Sequence, residues 1–171
     1  MSVSDDPIRT AIAAASRYIT EHPAEARYTD QSATVVMEGG LRFRAAFPGG
    51  TVTTDMPASV GGGASAPSPG WLWRASLAAC VATLIKMRAA SIGVDIERLE
   101  VTVDSESDDR GILGLDDSVP AGPLSGRVQV RITAPGASPA QVRELVEWAD
   151  RHCPVSDGFR RAIPLSLEVS T

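Results

Sequence analysis

Residues 69–90 read PGWLWRASLAACVATLIKMRAA, and the rest of the chain is organised around this stretch. Ser68 followed by Pro69 is a helix start, with a hydroxyl to cap free amides and then a residue whose fixed φ suits the first turn. Beyond Arg74 the segment is almost continuously apolar as far as Lys86, and Gly93 supplies a stop. A helix apolar on nearly every face is expected to be buried on nearly every face. Near its middle sits Cys80, one of two cysteines in the chain. On helical spacing Trp73, Ser76, Leu77, Leu84 and Met87 share its face, at separations of about three, four and seven. These surroundings are apolar, so spacing alone makes Cys80 a small hydrophobe in a core. Burial raises a thiol pKa, and a mid-helix position denies it the dipole of its own helix N-terminus.

Working outward, Asp6 and Pro7 repeat the cap-then-proline start. Ile8, Ala11, Ile12, Ala15 and Ile19 then follow at helical spacing, ending by His22 and Pro23. This alanine-rich stripe is expected to lie against a body or a partner subunit. Val35 and Met37, then Leu41, Phe43 and Ala45, alternate around Glu38-Gly39-Gly40, the pattern of a β-hairpin, with Thr51 to Thr54 as a third strand. Asp55 to Ser68, DMPASVGGGASAPS, is an ordered loop or a flexible lid, placed to wall any site beside the central helix.

On the C-terminal side Leu99, Val101 and Val103 form one alternating strand and Val128, Val130 and Ile132 another, with an irregular connection from Asp108 to Pro123. Ser138 and Gln141 have the capping-box spacing, and Val142, Leu145, Val146 and Ala149 give a third helix its buried stripe. A short helical turn is expected from Pro154 to Arg161, and a closing strand through Ile163, Leu165, Leu167 and Val169. The fold class is α+β, a mostly antiparallel sheet packed on helices.

Composition narrows the function. A chain of 171 residues favours one domain with a real core. Its net charge of −5 leaves no basic face for nucleic acid. No signal peptide is visible, and no stretch reaches the roughly 20 apolar residues that cross a bilayer, so no membrane partner is expected and a cytoplasmic location is the default. Two cysteines there are free thiols or a redox pair rather than a structural disulfide. Cys153, where one helix stops and a turn begins, places the amides of Val155 and Ser156 towards its sulfur, which favours a thiolate. The alternative, a cysteine that merely ends up under a turn, stays open. His22 and His152 are too few for a histidine metal site, and Gly61-Gly62-Gly63 lacks the lysine of a phosphate loop. No metal or cofactor is expected. Trp71 and Trp73 are expected in the core.

Four stretches carry a resemblance: PSPGWLWRASLAAC (67–80), DDRGILGL with VPAG (108–115 and 119–122), RVQVRITAP (127–135) and HCPVSDGFRRAIPLSLEV (152–169), with TDMPASVGGG (54–63) in support. Together they resemble the OsmC/Ohr family of osmotically inducible and organic-hydroperoxide-resistance proteins. The resemblance covers residues 31–171 and leaves 1–30 as an N-terminal helical extension. It implies an OsmC-like fold: a curved, mostly antiparallel sheet packed on two long central helices in an intertwined homodimer. It also implies a thiol-dependent peroxidase in which Cys80 attacks an organic hydroperoxide, Cys153 resolves the sulfenic acid as a disulfide, and a dithiol reductant reopens it. Arg44, or Arg42 beside it, is the implied thiolate stabiliser, and Trp73, Leu77, Leu84 and Met87 the implied pocket for the alkyl part. Peroxidases of the family carry a glutamate directly after the helix proline, where this chain has Gly70. That departure sets the alternative, an OsmC-like protein without peroxidase turnover that binds a small apolar ligand or serves a redox or structural role.

Overall fold

In a computed structural model of the chain, which describes residues 6–170, the central helix α2 spans Pro69–Ile92. The Ser68 hydroxyl accepts the amide of Trp71 at 3.2 Å. At the other end Gly93 takes φ +74°, and the Val94 amide returns to the Ala89 carbonyl at 2.9 Å. These are the start and stop read from the sequence. The helix α1, Asp6–Glu21, also ends as expected, before Pro23.

The chain divides into two compact units, one formed by Ser16–Ala75 and the other by the segment up to Ala15 together with Ser76 onward. In the first, β1 (Val35–Gly39), β2 (Arg42–Phe47) and β3 (Gly50–Thr54) form an antiparallel sheet in the order β1-β2-β3. The tight turn uses Gly40 at φ +54°, a conformation that costs glycine nothing. In the second unit β4 (Arg98–Glu106) pairs antiparallel with β5 (Ser125–Thr133) over nine residues, Leu99 opposite Ile132 and Val101 opposite Val130. The connection between them holds one helical turn, α3 (Asp109–Ile112), capped by Asp108. Helix α4, Pro139–Arg151, opens on the full Ser138/Gln141 capping box, and α5, Pro154–Arg160, follows at once with Cys153 as its cap.

The core of this second unit is a ladder of α2 side chains four residues apart, Leu77, Val81, Ile85 and Ala89, closed by Leu145 and Ala149 of α4 and by Cys153. Leu99, Val101 and Val103 of β4 and Val130 and Ile132 of β5 pack onto it. Ile85 is fully buried. Ile85→Val is therefore expected to cost about 0.5–1.5 kcal/mol, because the removed methylene leaves a small cavity. That loss is read as a fall of about 1–6 °C in Tm.

Four expectations are corrected. The closing strand does not form: Ile163, Leu165, Leu167 and Val169 belong to no sheet and are 48%, 88%, 90% and 78% exposed. An alternating strand needs an edge to pair with and a face to cover it, and in this structure that segment pairs with no sheet edge and stays exposed. Helix α2 is not buried on nearly every face either; 28% of its most apolar 18 residues is buried in this chain. By length and composition α2 is long and apolar enough to cross a bilayer, against the expectation that no stretch is. Trp71 is 51% exposed rather than in the core.

Candidate active site

Cys80 and Cys153, 73 residues apart in sequence, are neighbours in the structure, and both are free thiols. Cys153 is fully buried at the head of α5. Pro154 has no amide to offer, so the first donors of that helix come from Val155 and Ser156. The Ser156 amide donates to the Cys153 sulfur at 3.4 Å. The Val155 amide acts on Cys80 instead, and the two sulfurs lie near each other. Both sulfurs therefore sit under the first turn of one helix. Sequence reasoning could not see this for Cys80, since the amide it meets belongs to another element.

Burial raises the Cys80 pKa most, and the neighbouring Cys153 raises it further. The Val155 amide pulls the other way by stabilising the thiolate, while the charge of a Cys153 thiolate would oppose it. The net direction is upward. At neutral pH Cys80 in this chain is held chiefly as the thiol, and it is partly exposed rather than sealed in.

The other candidates from the sequence fall as follows. Leu77 belongs to the buried core, Leu84 packs against it half-buried, Trp73 is half-buried, and Met87 is 37% exposed. Arg44 is in the Ser16–Ala75 unit, where its Nε donates to Glu38 Oε1 at 2.9 Å, while Arg42 donates to Glu38 Oε2 at 3.0 Å. One carboxylate thus holds two guanidiniums that alternate on a single face of β2. Glu38 escaped the sequence reading, which treated it only as a turn residue. Gly70 stands in open space: the nearest atom to a side chain added there is Ser68 Oγ, at 3.9 Å. His152, adjacent to Cys153, stacks on Trp148 with ring centroids 4.1 Å apart and hydrogen-bonds the Trp148 carbonyl through Nδ1 at 2.7 Å. It closes α4. Among the described residues, no three His, Cys, Asp or Glu side chains group so as to hold a metal ion.

The glycine-rich loop is held together by its own hydrogen bonds. Asp55, 3% exposed, accepts the amides of Met56 (2.8 Å), Gly63 (3.2 Å) and Ser65 (3.0 Å) and the Ser65 hydroxyl (2.7 Å). Arg42 Nη1 then donates to Ser65 Oγ at 2.6 Å, tying the loop to β2. In the same unit an apolar hollow of about 350 Å³ is lined by Val35, Phe43, Ala45, Val52, Pro69 and Leu72, among others. By sequence pattern Val35, Phe43 and Ala45 belong to the hairpin and Val52 to the third strand, with no sign of a hollow between them.

The paired thiols, held by their own motifs, agree with the family comparison: OsmC-like proteins match this chain over residues 61–168. The chain belongs to the OsmC-like protein family. Solved structures share its fold at low identity. The OsmC-like protein of Mycoplasma pneumoniae superposes with a TM-score of 0.67 at 17% identity, covering 78% of this chain and 89% of that one. An organic hydroperoxide resistance protein OsmC of Legionella pneumophila gives 0.58 at 21% identity, covering 78% and 92%. The organic hydroperoxide resistance protein OhrB of Bacillus subtilis gives 0.51 at 22%, covering 76% and 91%. No curated protein matches the sequence. Residues 6–60 of this OsmC-like chain, with α1 and β1–β3, precede the matched segment.

Proposed function

We propose that this OsmC-like protein is a thiol-dependent peroxidase that reduces organic hydroperoxides through Cys80 and Cys153. The observation that carries the reading is the nearness of the two thiols, beside the first amides of α5. The Cys80 thiolate attacks one oxygen of ROOH, the O–O bond breaks, and ROH leaves after protonation, with Cys80 as the sulfenic acid. Cys153 attacks that sulfur, expelling water and forming the disulfide. A dithiol reductant then opens it by two exchanges, becoming a disulfide itself. Trp73, Leu84 and Met87 line the approach of the alkyl part in this reading, with Leu77 as their floor.

A homodimer belongs to the same reading. It is supported by the apolar surface of α2 that this chain leaves uncovered and by the unpaired alternation of Ile163, Leu165, Leu167 and Val169. A second copy would cover the first and give the second a sheet edge. Arg44, with Arg42, is the guanidinium we assign to the thiolate, oriented by Glu38 in place of the acid missing at Gly70. Residues 1–30 are an extension to a domain of 31–171, and free thiols of this kind suit a cytoplasmic setting.

The direct test is one equivalent of cumene hydroperoxide added to the reduced protein, with mass spectrometry of the peptides. A Cys80–Cys153 disulfide is expected, and its absence with both thiols intact would reject the reading. The upward shift of the Cys80 pKa favours a second one, an OsmC-like protein without turnover that binds a small apolar molecule. An iodoacetamide rate at Cys80 no faster than that of an ordinary thiol would support it.

A further inference from the structure

Three hydrogen bonds converge on the corner between α4 and α5. The Ser156 amide donates to the Cys153 sulfur at 3.4 Å, and the Ser156 hydroxyl donates to Asp150 Oδ1 at 2.9 Å. Arg160, in the last turn of α5, donates to Asp150 Oδ2 at 2.7 Å. The backbone joins in: the Cys153 amide returns to the Asp150 carbonyl at 3.4 Å, and the Asp157 amide to the Cys153 carbonyl at 2.9 Å. Ser156 is 3% exposed and Cys153 fully buried. One carboxylate on the last turn of α4 thus holds both ends of a seven-residue helix. The first turn of that helix supplies the amides that reach the two sulfurs.

We propose that Asp150 is a positioning residue for the thiol pair. Acting through Ser156, it fixes the first turn of α5 so that the Val155 and Ser156 amides stay on the sulfurs, and so sets the balance between dithiol and disulfide. The physical basis is that a thiolate, as an ionised acceptor, holds N–H donors more strongly than the neutral sulfurs of a disulfide do. Firm donors therefore favour the reduced pair, and a loosened turn favours oxidation. Of the two bonds to Asp150, the one from Ser156 matters here. It is part-buried, with Ser156 3% exposed, whereas the Arg160 pair is surface-exposed and weak. The use of this balance in a peroxidase cycle rests on the function proposed above, but the balance itself exists without peroxide.

Glutathione titration measures it: the protein dithiol and oxidised glutathione exchange to the protein disulfide and two reduced glutathione molecules. One S–S bond breaks as another forms, and both protons pass to glutathione. Asp150→Ala and Ser156→Ala are each expected to shift this equilibrium towards the protein disulfide by about threefold to tenfold, which is about 15–30 mV for a two-electron couple. The double variant is expected to shift it no further than either single one, since both remove the same brace. Asp150→Asn keeps an oxygen acceptor for Ser156, and Arg160→Ala keeps the brace, so both stay within about twofold of the parent. A changed Tm with an unchanged equilibrium in Asp150→Ala and Ser156→Ala would overturn the proposal, as would an Asp150→Asn shift as large as that of Asp150→Ala. Should Asp150→Ala fail to fold, Ser156→Ala, which leaves all charges in place, decides. Hydroperoxide consumption is measured separately: a shift without turnover rejects the peroxidase reading alone, and turnover without a shift rejects the positioning role alone.

Discussion

Cys80→Ser is expected to abolish hydroperoxide consumption, by about three orders of magnitude or more when the nucleophile of a covalent mechanism is removed. A serine hydroxyl in that apolar neighbourhood carries no anion at usable pH and cannot take up an oxygen as a sulfenic acid. Coupled assays with tert-butyl or cumene hydroperoxide and a dithiol measure the loss, and turnover that survives the substitution would end the peroxidase proposal. Cys153→Ser separates the two roles. One equivalent of peroxide is still consumed and the Cys80 sulfenic acid accumulates, to be trapped by dimedone, while recycling through the internal disulfide stops. The direction of the Cys80 pKa shift adds a pH signature. Below a raised thiol pKa the thiolate fraction grows about tenfold per pH unit. The rate of the parent protein should therefore climb across the neutral range rather than level off below pH 7. A plateau reached by about pH 6 would mean that a cation acts on the sulfur, and Arg44→Ala would then remove it.

Asp55→Ala is the second large effect. The carboxylate closes the loop of residues 56–65 through three amides and a hydroxyl. Without it these donors lose their acceptor inside the protein, and the loop opens. Its closure is tight: a side chain at Gly62 would sit 1.9 Å from the Met56 carbonyl oxygen. Tm is expected to fall by about 5–10 °C, from the cost of leaving several shielded donors unpaired. Limited proteolysis should now cut between Pro57 and Ser65. An unchanged Tm with an uncut loop would show that Asp55 does not hold it. The Ser65 bonds and the other amides lower the Asp55 pKa to about 2. A carboxyl whose folded pKa lies below its unfolded value, about 3.9, stabilises the fold fully above that value. The contribution is lost as pH falls from about 4 through about 2. Acid titration of the parent should therefore show a step in this window that Asp55→Ala lacks.

The elements were legible because each is signalled locally. Ser68-Pro69 and Gly93 bound α2, Ser138 and Gln141 cap α4, and strict alternation marks β4 and β5. The family resemblance too was carried by short stretches around the two cysteines. What failed was everything that depends on a covering surface. The alternation at Ile163 to Val169 is real, yet those side chains stand in the open, because periodicity states what a segment needs and not whether this chain supplies it. The continuous apolar run of α2 likewise overstates burial within a single chain.

The two thiols mark the same division. By itself the sequence determined that Cys80 lies in mid-helix on an apolar face and that Cys153 stands where one helix stops and a turn begins, since spacing and proline placement are properties of neighbours in the chain. Only the tertiary structure decided that the two sulfurs meet, that the Val155 amide serves Cys80, and that Glu38 gathers Arg42 and Arg44. Hydrogen bonds between elements fall off within a few ångströms, so they depend on how helices and strands are brought together, a relation that no local pattern encodes.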